Sequence, residues 1–404
     1  MLTTSTKLLD TQHTLAEKHC IIRARQDLQE LPRWLEEAES VVITGPHSQE
    51  EPKWLGLDEG CLKDLRDFCR QRPAVLVIEA DGARGRPLKA PAEHEPVVPD
   101  WVDLVVPLVG LDVIGKPLNE EYVHRVRQAA AVLGLPPEMR IEPRHIVAFL
   151  RHPEGAKRGV PPGAAVRVLL NKSETPGRLA SGRVIAKAMM TDPEVNSTLI
   201  CSLHQRDPVI EAYSRVAGMI LAAGGSSRLE QPKQLITWRG RSLVWYAVNA
   251  AVQAGLLPIV VVTGCEAERV RSALAGLSVG YVNNPHWQEG QSTSFKAGLE
   301  AVKHTAEAVI ALLSDMPFVD GEVVEAVVKR YRQTLAPLVA PQAGGKRANP
   351  VLFDRATYGD LAKIEGDQGG RPLFDSYDPV YVNWDERIRF DVDTAEDLEW
   401  LRKQ

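Results

Sequence analysis

The residues best suited to chemistry lie in one stretch, residues 219–235, which reads MILAAGGSSRLEQPKQL. Small residues follow an apolar run there, and they let the backbone turn tightly and present bare N–H groups to a ligand. Arg228 and Lys233 come next, and hydroxyls with spaced cations bind phosphate. The pattern predicts a phosphate-binding loop, although glycines alone would also suit an ordinary surface turn. The residues predicted to bind nucleotide here are Leu221, Ala222, Ala223, Gly224, Gly225 and Ser226.

Carboxylates follow two later segments of the same half. Asp315 comes shortly after the apolar run 308–313, and Asp391 and Asp393 are placed just past a predicted strand. Because the carboxyl ends of strands in an α/β sheet share one edge, we expect Asp315 to lie beside the loop. Mg²⁺ takes one or two carboxylates together with phosphate oxygens. We predict Mg²⁺ on Asp315, with Asp391 or Asp393 as a second ligand, and helix capping remains the alternative for each.

These groups together suit nucleotidyl transfer. A nucleoside triphosphate would be held by the loop amides, Arg228 and Lys233, with Mg²⁺ on Asp315 bridging the phosphates. An attacking phosphate is already ionised, so positioning and charge neutralisation would supply most of the catalysis without a general base. The sequence offers no convincing His dyad or Ser-His pair, which agrees with this chemistry.

The elements that must position these residues alternate with a short period from Val216 onward, which is typical of a doubly wound α/β fold. Strands are predicted at 259–264 and 308–313. A polar loop at 290–294 is expected to cap a helix over 295–304. In a later helix the 3.6-residue spacing of apolar side chains predicts a buried face. That face consists of Val323, Val324, Val327, Val328 and Tyr331.

The first half contains a second group of candidate residues. An apolar run at 74–78 predicts a strand buried on both faces of a parallel sheet, and it ends in the charged segment 79–89. Further strands are predicted at 104–111 and 165–170. The tetrapeptide 171–174, NKSE, is similar to the base-reading NKxD of guanine-binding P-loop proteins, and a capped helix start explains it equally well. The candidates of this half are Asp81, Arg84, Lys89, Asn171 and Lys172.

Length and composition limit the classes of protein to consider. A chain of 404 residues suggests about two or three domains, and we predict domains at 1–205 and 216–404 joined by a linker at 206–215. The net charge of −5 gives the protein no overall positive potential, so composition does not support binding to nucleic acid. Five scattered cysteines without a CxxC pair argue against zinc and a disulfide framework, and they predict a reducing cytoplasm. No apolar run approaches the roughly 18 residues of a membrane span.

The first half resembles the YqeC family, accessory proteins of selenium-dependent molybdenum hydroxylases. The resemblance is carried by EADGARGRPLKAPAEHEPVVP (79–99), LVGLDVIGKPLN (108–119) and LLNKSE (169–174). It implies a P-loop-NTPase-like domain over residues 1–200. Family members begin with a P-loop strand and helix, and the first residues here match the segment that follows that helix. Two interpretations stay open, a start codon placed too far downstream or a domain that has become a binding or scaffolding module.

The second half resembles the molybdenum-cofactor nucleotidyltransferases of the MobA type, most closely the MocA-type cytidylyltransferases, over residues 216–404. The motifs are LAAGGSSRLEQPKQL, NPHWQEGQSTSFKAGL, LLSDMPFV, NPVLF, GDQGGRPLF and DVDTAEDL. The resemblance implies a Rossmann-like domain of the nucleotide-diphospho-sugar-transferase type. It also implies Mg²⁺ on Asp315 and a nucleotide or pterin beside Ser294 and Asn349. The triphosphate contacts that it implies are Ala223, Gly224, Arg228 and Lys233.

The resemblance implies transfer of CMP from CTP to Mo-loaded molybdopterin, with an apo molybdenum hydroxylase as a later partner. Three alternatives stay open: GTP as the nucleotide, a sugar or polyol phosphate as the acceptor, or a non-catalytic carrier or chaperone of the cofactor. Glu230 occupies the position of a glycine in the family motif. We expect a side chain there to affect the rate more than the type of reaction.

Overall fold

The computed structural model divides the chain into two compact units, Met1–Val209 and Ile210–Gln404. It describes residues 1–225, 229 and 231–404. Both units are mixed α/β. None of the helices in the described ranges combines the length and the apolar character that crossing a membrane requires.

The first unit consists of short strands and helices. Its strands are β1 (Leu2–Thr4), β2 (Lys7–Leu9), β3 (Lys18–Ile21), β4 (Val41–Thr44), β5 (Lys53–Leu55), β6 (Val77–Glu79), β7 (Leu88–Lys89), β8 (Leu104–Val105), β9 (Leu108–Gly110), β10 (Val123–His124), β11 (Ala165–Asn171) and β12 (Ser197–Cys201). Its helices are α1 (Leu31–Glu37), α2 (Glu59–Arg70), α3 (Val126–Leu133), α4 (Pro143–Arg151) and α5 (Pro176–Met189).

Parallel strand pairs dominate the sheets of this unit. One sheet has the order β3-β4-β1-β6. In another, β11 pairs in parallel with β12 on one side and with β8 and β9 on the other. The core beneath the first sheet packs β4 against α2, whose apolar face supplies the buried Leu62 and Leu65. Asp58 begins α2 by accepting the N–H of Cys61 at 2.9 Å, which is a conventional N-cap.

Two strand predictions for this unit are wrong. The run 74–78 is not buried on both faces, because β6 covers only Val77–Glu79 and lies at the edge of its sheet. The Val75 and Val77 residues are 75% and 53% exposed. An apolar run indicates that a segment favours the β conformation. Whether the strand is buried on both faces depends on the strands and helices that pack around it. The predicted strand 104–111 is divided into β8 and β9.

An ion-pair network lies within the first unit. Lys89 pairs with Asp81 and, at 2.8 Å, with Glu95, and Arg125 also pairs with Glu95. Burial alone would raise the pKa of Glu95, but hydrogen bonds from Arg125 and Lys89 lower it from 4.5 to about 2. A carboxylate with a lowered pKa stabilises the folded state above its unfolded pKa, and this stability is lost as the pH falls through the folded pKa.

We therefore expect acid to destabilise the first unit through Glu95. Between pH 6 and pH 3 the unfolding free energy of the wild type should fall by about 2 kcal/mol more than that of Glu95→Gln, which has no carboxyl to protonate. The variant should also be less stable at pH 6, since Lys89 and Arg125 lose their shared partner. Urea unfolding, monitored by hydrogen-exchange mass spectrometry, measures the unfolding free energy of each unit separately. Equal pH dependence in both proteins would contradict the assignment.

The second unit contains longer strands and helices. Its strands are β13 (Val209–Ser214, beginning at the unit boundary), β14 (Val216–Ala222), β15 (Thr237–Trp238), β16 (Arg241–Ser242), β17 (Ile259–Thr263), β18 (Gly280–Asn283), β19 (Ala308–Leu313), β20 (Leu338–Ala343), β21 (Lys346–Arg347), β22 (Val351–Asp354) and β23 (Pro379–Asn383). Its helices are α6 (Leu243–Gln253), α7 (Ala267–Ala273), α8 (Gln291–Val302), α9 (Gly321–Thr334), α10 (Tyr358–Leu361) and α11 (Ala395–Arg402).

The main sheet of this unit has the order β18-β17-β14-β19-β22-β20-β21, with β23 paired to β20. Its central strand β14 runs parallel to both neighbours, β17 and β19. Strand β22 is antiparallel to β19 and to β20, so β20 runs in the direction of β14, as does β23. One edge of the sheet therefore gathers the carboxyl ends of β14, β17, β18, β19, β20 and β23 and the start of β22.

Helices cover both faces of this sheet. Side chains of β14 alternate between two core clusters, with Ile220 in the cluster that contains α6 and α9 and Met219 in the cluster that contains α8. The predicted helical face of α9 is confirmed, since all five of its side chains are buried. Helix α8 begins at Gln291, earlier than predicted. The segment predicted as a linker, 206–215, contains β13.

Candidate active site

The loop after β14 is anchored by hydrogen bonds to its carbonyl groups. Buried Gln234 donates from Nε2 to the carbonyl of Gly224 at 2.9 Å and to that of Ala222 at 3.3 Å. The N–H of Cys265 donates to the carbonyl of Ala223 at 2.9 Å. The predicted residues Ser226 and Arg228, and Glu230, lie outside the described residues.

Two glycines of this loop have different surroundings. A Cβ added to Gly225 would lie 2.8 Å from the ring of Trp287, so only glycine fits that contact without a shift. A Cβ at Gly224 would meet no atom of the described residues within 4 Å. The described part of the loop is thus packed against Trp287 at Gly225, whereas Gly224 has no such contact with another described residue.

Lys233 joins the loop region to two carboxylates. Its Nζ lies 3.3 Å from Oδ2 of Asp315 and also binds Oδ1 of Asp393. Asp315 stands just beyond the carboxyl end of β19, and Ser314 beside it donates its hydroxyl to the carbonyl of Leu221 at 2.8 Å. The predicted neighbourhood of Lys233, Asp315 and one of the two later aspartates is therefore formed in the structure.

The charges of this cluster influence one another. Burial raises the pKa of Asp315 above its ordinary value of 3.8, while the ammonium of Lys233 opposes the shift. Burial alone would lower the pKa of Lys233, but the hydrogen bond with Asp393 and the charges of both carboxylates raise it. Burial, and then the charges of Asp393 and Asp315, raise the pKa of Asp391. Lys233 is therefore a cation held between anions.

Helix capping does not account for these aspartates. Helix α9 is capped by Asp320, whose Oδ1 accepts the N–H groups of Glu322 at 3.0 Å and Val323 at 3.1 Å. Helix α11 is capped by Thr394, which forms a capping box with Asp397. Asp315 and Asp393 are left to interact with Lys233.

The segment that carries Asp391 and Asp393 is irregular and docks onto Asp315. It follows a 3₁₀ helix, Glu386–Arg389, so the prediction that these residues follow a strand is wrong. Val392 is fully buried, and its N–H donates to the carbonyl of Asp315 at 3.1 Å. This anchor fixes the aspartates on either side of Val392 at the sheet edge, where Asp393 binds Lys233.

Ser294 lies in the first turn of α8, not in a preceding loop, and it is buried. Its hydroxyl receives a hydrogen bond from Nδ2 of Asn284 at 3.0 Å, and Asn284 also donates to Thr293 at 2.8 Å. A glycine-rich loop, residues 366–370, contacts the start of α8, where the carbonyl of Gly366 accepts the N–H of Ser292 at 3.1 Å. Ser294 is therefore held by protein contacts.

Gly370 of this loop packs against the buried ring of Phe353. A Cβ there would lie 2.3 Å from Cζ of Phe353, which is 1% exposed. We expect Gly370→Ala to lower the unfolding free energy of the second unit by about 1–3 kcal/mol, the usual cost of overpacking. Gly359→Ala is the matched control, because a Cβ at that helical position meets nothing within 4 Å. Urea unfolding measures both; equal stabilities would show that the loop can move aside.

Asn349 lies next to the residue that follows Asp315. Its Nδ2 is 3.6 Å from Sδ of Met316, a weak contact that joins the start of β22 to the end of β19. Its placement at the shared edge of the sheet agrees with the predicted position near substrate, and its role stays a prediction.

Four of the five candidate residues of the first unit form ion pairs or hydrogen bonds with other residues of the same unit. Asp81 pairs with Lys89, and Lys172 lies 2.8 Å from Oδ2 of Asp112. Oδ1 of Asn171 accepts the N–H of Leu203 at 3.0 Å. Arg84 occupies a left-handed backbone conformation, with φ of 52°. A ligand at Asp81, Lys89, Asn171 or Lys172 would compete with these contacts.

Sequence reasoning missed several residues that support the site. Gln234, Ser314, Asn284 and Val392 each fix a loop or a neighbour of a predicted residue. Gln234 lies in the motif LAAGGSSRLEQPKQL and Ser314 in LLSDMPFV. In both motifs a polar residue next to an apolar segment could have indicated a role in fixing the loop. Val392 carried no signal, since its importance depends on which segment it docks against.

Two family models match the chain. The model described as the MobA-like NTP transferase domain matches residues 218–380, and the model described as the YqeC protein matches residues 1–127. The uncharacterized protein YqeC of Escherichia coli (strain K12) is 36% identical over 142 residues, which are 34% of this chain and 56% of that protein. The chain therefore spans just over half the length of this relative.

The second unit has a relative that it covers almost completely. Nicotine blue oxidoreductase of Paenarthrobacter nicotinovorans is 30% identical over 195 residues, which are 45% of this chain and 94% of that protein. The crystal structure of Rv0371c from Mycobacterium tuberculosis H37Rv is 26% identical with a TM-score of 0.43, over 47% of this chain and 98% of that one. The chain belongs to the MobA-like NTP transferases through its second unit, and its first unit contains a YqeC domain.

Proposed function

We propose that the chain is a molybdenum cofactor cytidylyltransferase, which transfers CMP from CTP to molybdopterin and releases pyrophosphate. The observation that carries the proposal is the meeting of Lys233 with Asp315 and Asp393 beside the loop after β14. A cation and two carboxylates at the carboxyl edge of the sheet, beside the loop after β14, suit a magnesium nucleotide. The choice of CTP and molybdopterin is supported by the motif resemblance and by the YqeC domain in the same chain.

In the proposed reaction an oxygen of the acceptor phosphate attacks the α-phosphorus of CTP. The new P–O bond forms as the bond to the bridging oxygen of pyrophosphate breaks, and pyrophosphate takes the electron pair. The acceptor phosphate is ionised at neutral pH, so it needs no general base. Lys233 stabilises the negative charge that grows on the phosphate oxygens, and Asp315 and Asp393 orient its ammonium.

The donor set fits Mg²⁺. Asp315 and Asp393 lie close enough together to contact one ammonium, that of Lys233, and two neighbouring carboxylates plus phosphate oxygens are what Mg²⁺ prefers. Within the described ranges no group of three or more His, Cys, Asp and Glu side chains is arranged to hold a metal by itself. Asp315 and Asp393 would hold the ion, which when bound supplies charge neutralisation to the phosphates.

The test is pyrophosphate release in the presence of molybdopterin and each of the four nucleoside triphosphates. We expect CTP to have the highest kcat/KM. A preference for GTP, or turnover only with a sugar or polyol phosphate, would keep the reaction class and replace the substrate. Tight binding of CTP and molybdopterin without pyrophosphate release would favour the non-catalytic carrier.

An oxidoreductase is the second candidate, because the relative that matches the whole second unit carries that name. The same protein preparation should be incubated with NADH or NADPH and a quinoid dye, and nucleotide oxidation followed by absorbance. We expect neither the wild type nor a Lys233→Ala, Asp315→Asn double variant to show oxidation above that of a sample without protein. Oxidation that survives in this double variant while pyrophosphate release is absent would favour the redox function.

A further inference from the structure

Two arginines lie at the same edge of the second unit's sheet as the cluster around Lys233. Arg347 ends β21, the short strand that pairs back onto β20 through Gln342. Arg371 begins a 3₁₀ helix, Arg371–Asp375, directly after the loop that contacts the start of α8. In the strand order β20 and β21 lie beyond β19, on the side away from the phosphate-binding loop.

The arginines share one surface because of an aromatic ring. A 3₁₀ helix has about 3 residues per turn, so Arg371 and Phe374 project from the same face of it. The Cζ of Arg347 lies 4.0 Å from the centre of the Phe374 ring, which is itself packed against the core. A guanidinium stacked over a ring has its N–H groups in its own plane, pointing away from the ring, where they stay available to a ligand.

The charges here are not balanced by ion pairs. Among the residues that the structure describes, neither Arg347 nor Arg371 has a carboxylate within ion-pair distance. Burial and the positive charge of Arg371 lower the pKa of Arg347, while Tyr381 and Asp375 act weakly in the opposite direction. The half-buried Arg347 beside the exposed Arg371 brings two positive charges together, and an anion bound between them would offset their repulsion.

This arginine pair is connected to the proposed catalytic cluster. Arg347 is two residues before Asn349, whose Nδ2 contacts Sδ of Met316, and Met316 follows Asp315. The stretch from Arg347 to Asn349 therefore runs along the sheet edge from the arginines to the neighbour of Asp315. A substrate that touches both would place an anionic group at the arginines and its reacting end near Asp315.

We propose that Arg347 and Arg371 form a subsite for a phosphate monoester, the acceptor substrate of the proposed nucleotidyl transfer, on which this inference rests. Planar guanidinium forks bind phosphate oxygens through paired hydrogen bonds, which a lysine cannot reproduce. Phe374 acts as a positioning residue that holds the fork of Arg347. The subsite selects the acceptor, and the loop after β14 serves the nucleotide.

The experiment compares variants of the full chain. Arg347→Lys keeps the charge and removes the fork, and Arg371→Ala removes both. Loss of a charge-assisted hydrogen bond should raise the KM for molybdopterin about tenfold in each variant and about a hundredfold in the double variant. The KM for CTP should stay within about twofold of wild type, which also shows that the variants are folded. Arg330→Ala, an exposed arginine on α9, is the control and should change neither KM.

Direct binding separates this inference from the proposed reaction. Molybdopterin and its dephosphorylated form are titrated by intrinsic fluorescence without nucleotide, and the wild type should prefer the phosphorylated form about tenfold or more. Loss of that preference in the arginine variants supports the subsite even if no nucleotide is turned over. An unchanged preference and unchanged KM for molybdopterin in the variants would overturn it, whether or not pyrophosphate is released.

Discussion

Replacing Lys233 with alanine is expected to lower kcat for pyrophosphate release by about a hundredfold to a thousandfold. The ammonium is held by Asp315 and Asp393 beside the loop, and preorganised charge of this kind is worth about a hundredfold to a thousandfold per group. The loss should appear in kcat, since the charge that Lys233 stabilises is larger in the transition state than in bound CTP. Pyrophosphate release under saturating CTP is the measurement.

The same substitution has a second measurable consequence. Without Lys233 the carboxylates of Asp315 and Asp393 lose the cation they share, and their mutual repulsion should make a divalent ion bind more tightly to the empty cluster. Lys363→Ala, which removes an exposed lysine paired with Asp360, should leave turnover unchanged. Near-normal turnover in Lys233→Ala would show that the ammonium is not part of the catalytic cluster.

The second large effect is expected for Asp315→Asn, a change that keeps the shape of the side chain and removes its charge. Pyrophosphate release should fall by about a thousandfold, because the amide neither orients Lys233 as an anion nor binds Mg²⁺. Asp320→Asn is the matched control five residues later. Asp320 caps α9, and asparagine caps a helix about as well as aspartate, so this substitution should change stability little and leave turnover intact. A reversed outcome would give the catalytic role to Asp320.

The pH dependence of the wild type tests the same residue. Asp315 must be ionised to pair with Lys233, and its pKa is raised above 3.8 by burial. The acid limb of the kcat/KM profile should therefore lie above pH 3.8. A raised carboxyl pKa also means that protonation favours the folded state, so ionised Asp315 costs stability as the pH rises through its folded pKa. Asp315→Asn should remove this loss of stability, as urea unfolding at several pH values would show.

The central part of the site was predictable from local sequence. The run before Ala222 forms the strand β14, and the run before Ser314 forms β19, because each is apolar, short and bounded by small or polar residues. Parallel pairing then brings Leu221 opposite Leu313, which places Asp315 beside the loop. Here local pattern and the geometry of parallel sheets were enough.

Other parts depend on long-range contacts that local patterns do not encode. The sequence around Asp315 and around Asp393 fits a helix cap, and only the true starts of α9 and α11 show that Asp320 and Thr394 are the caps. The run 74–78 fits a central strand as well as an edge strand, and its neighbours decide between them. That Asp393 binds Lys233 follows from the docking of Val392, which no periodicity reveals.

The contact between Val392 and Asp315 has a consequence for the newly made protein. Lys233 and Asp393 are 160 residues apart in the chain, whereas the loop after β14 and Asp315 come from neighbouring strands. During synthesis the strands β14, β17 and β19 leave the ribosome well before residue 393, so the sheet edge that carries Asp315 can form before Asp393 is made. Formation of the cluster should therefore come late, when the segment around Val392 closes onto strands that are already formed.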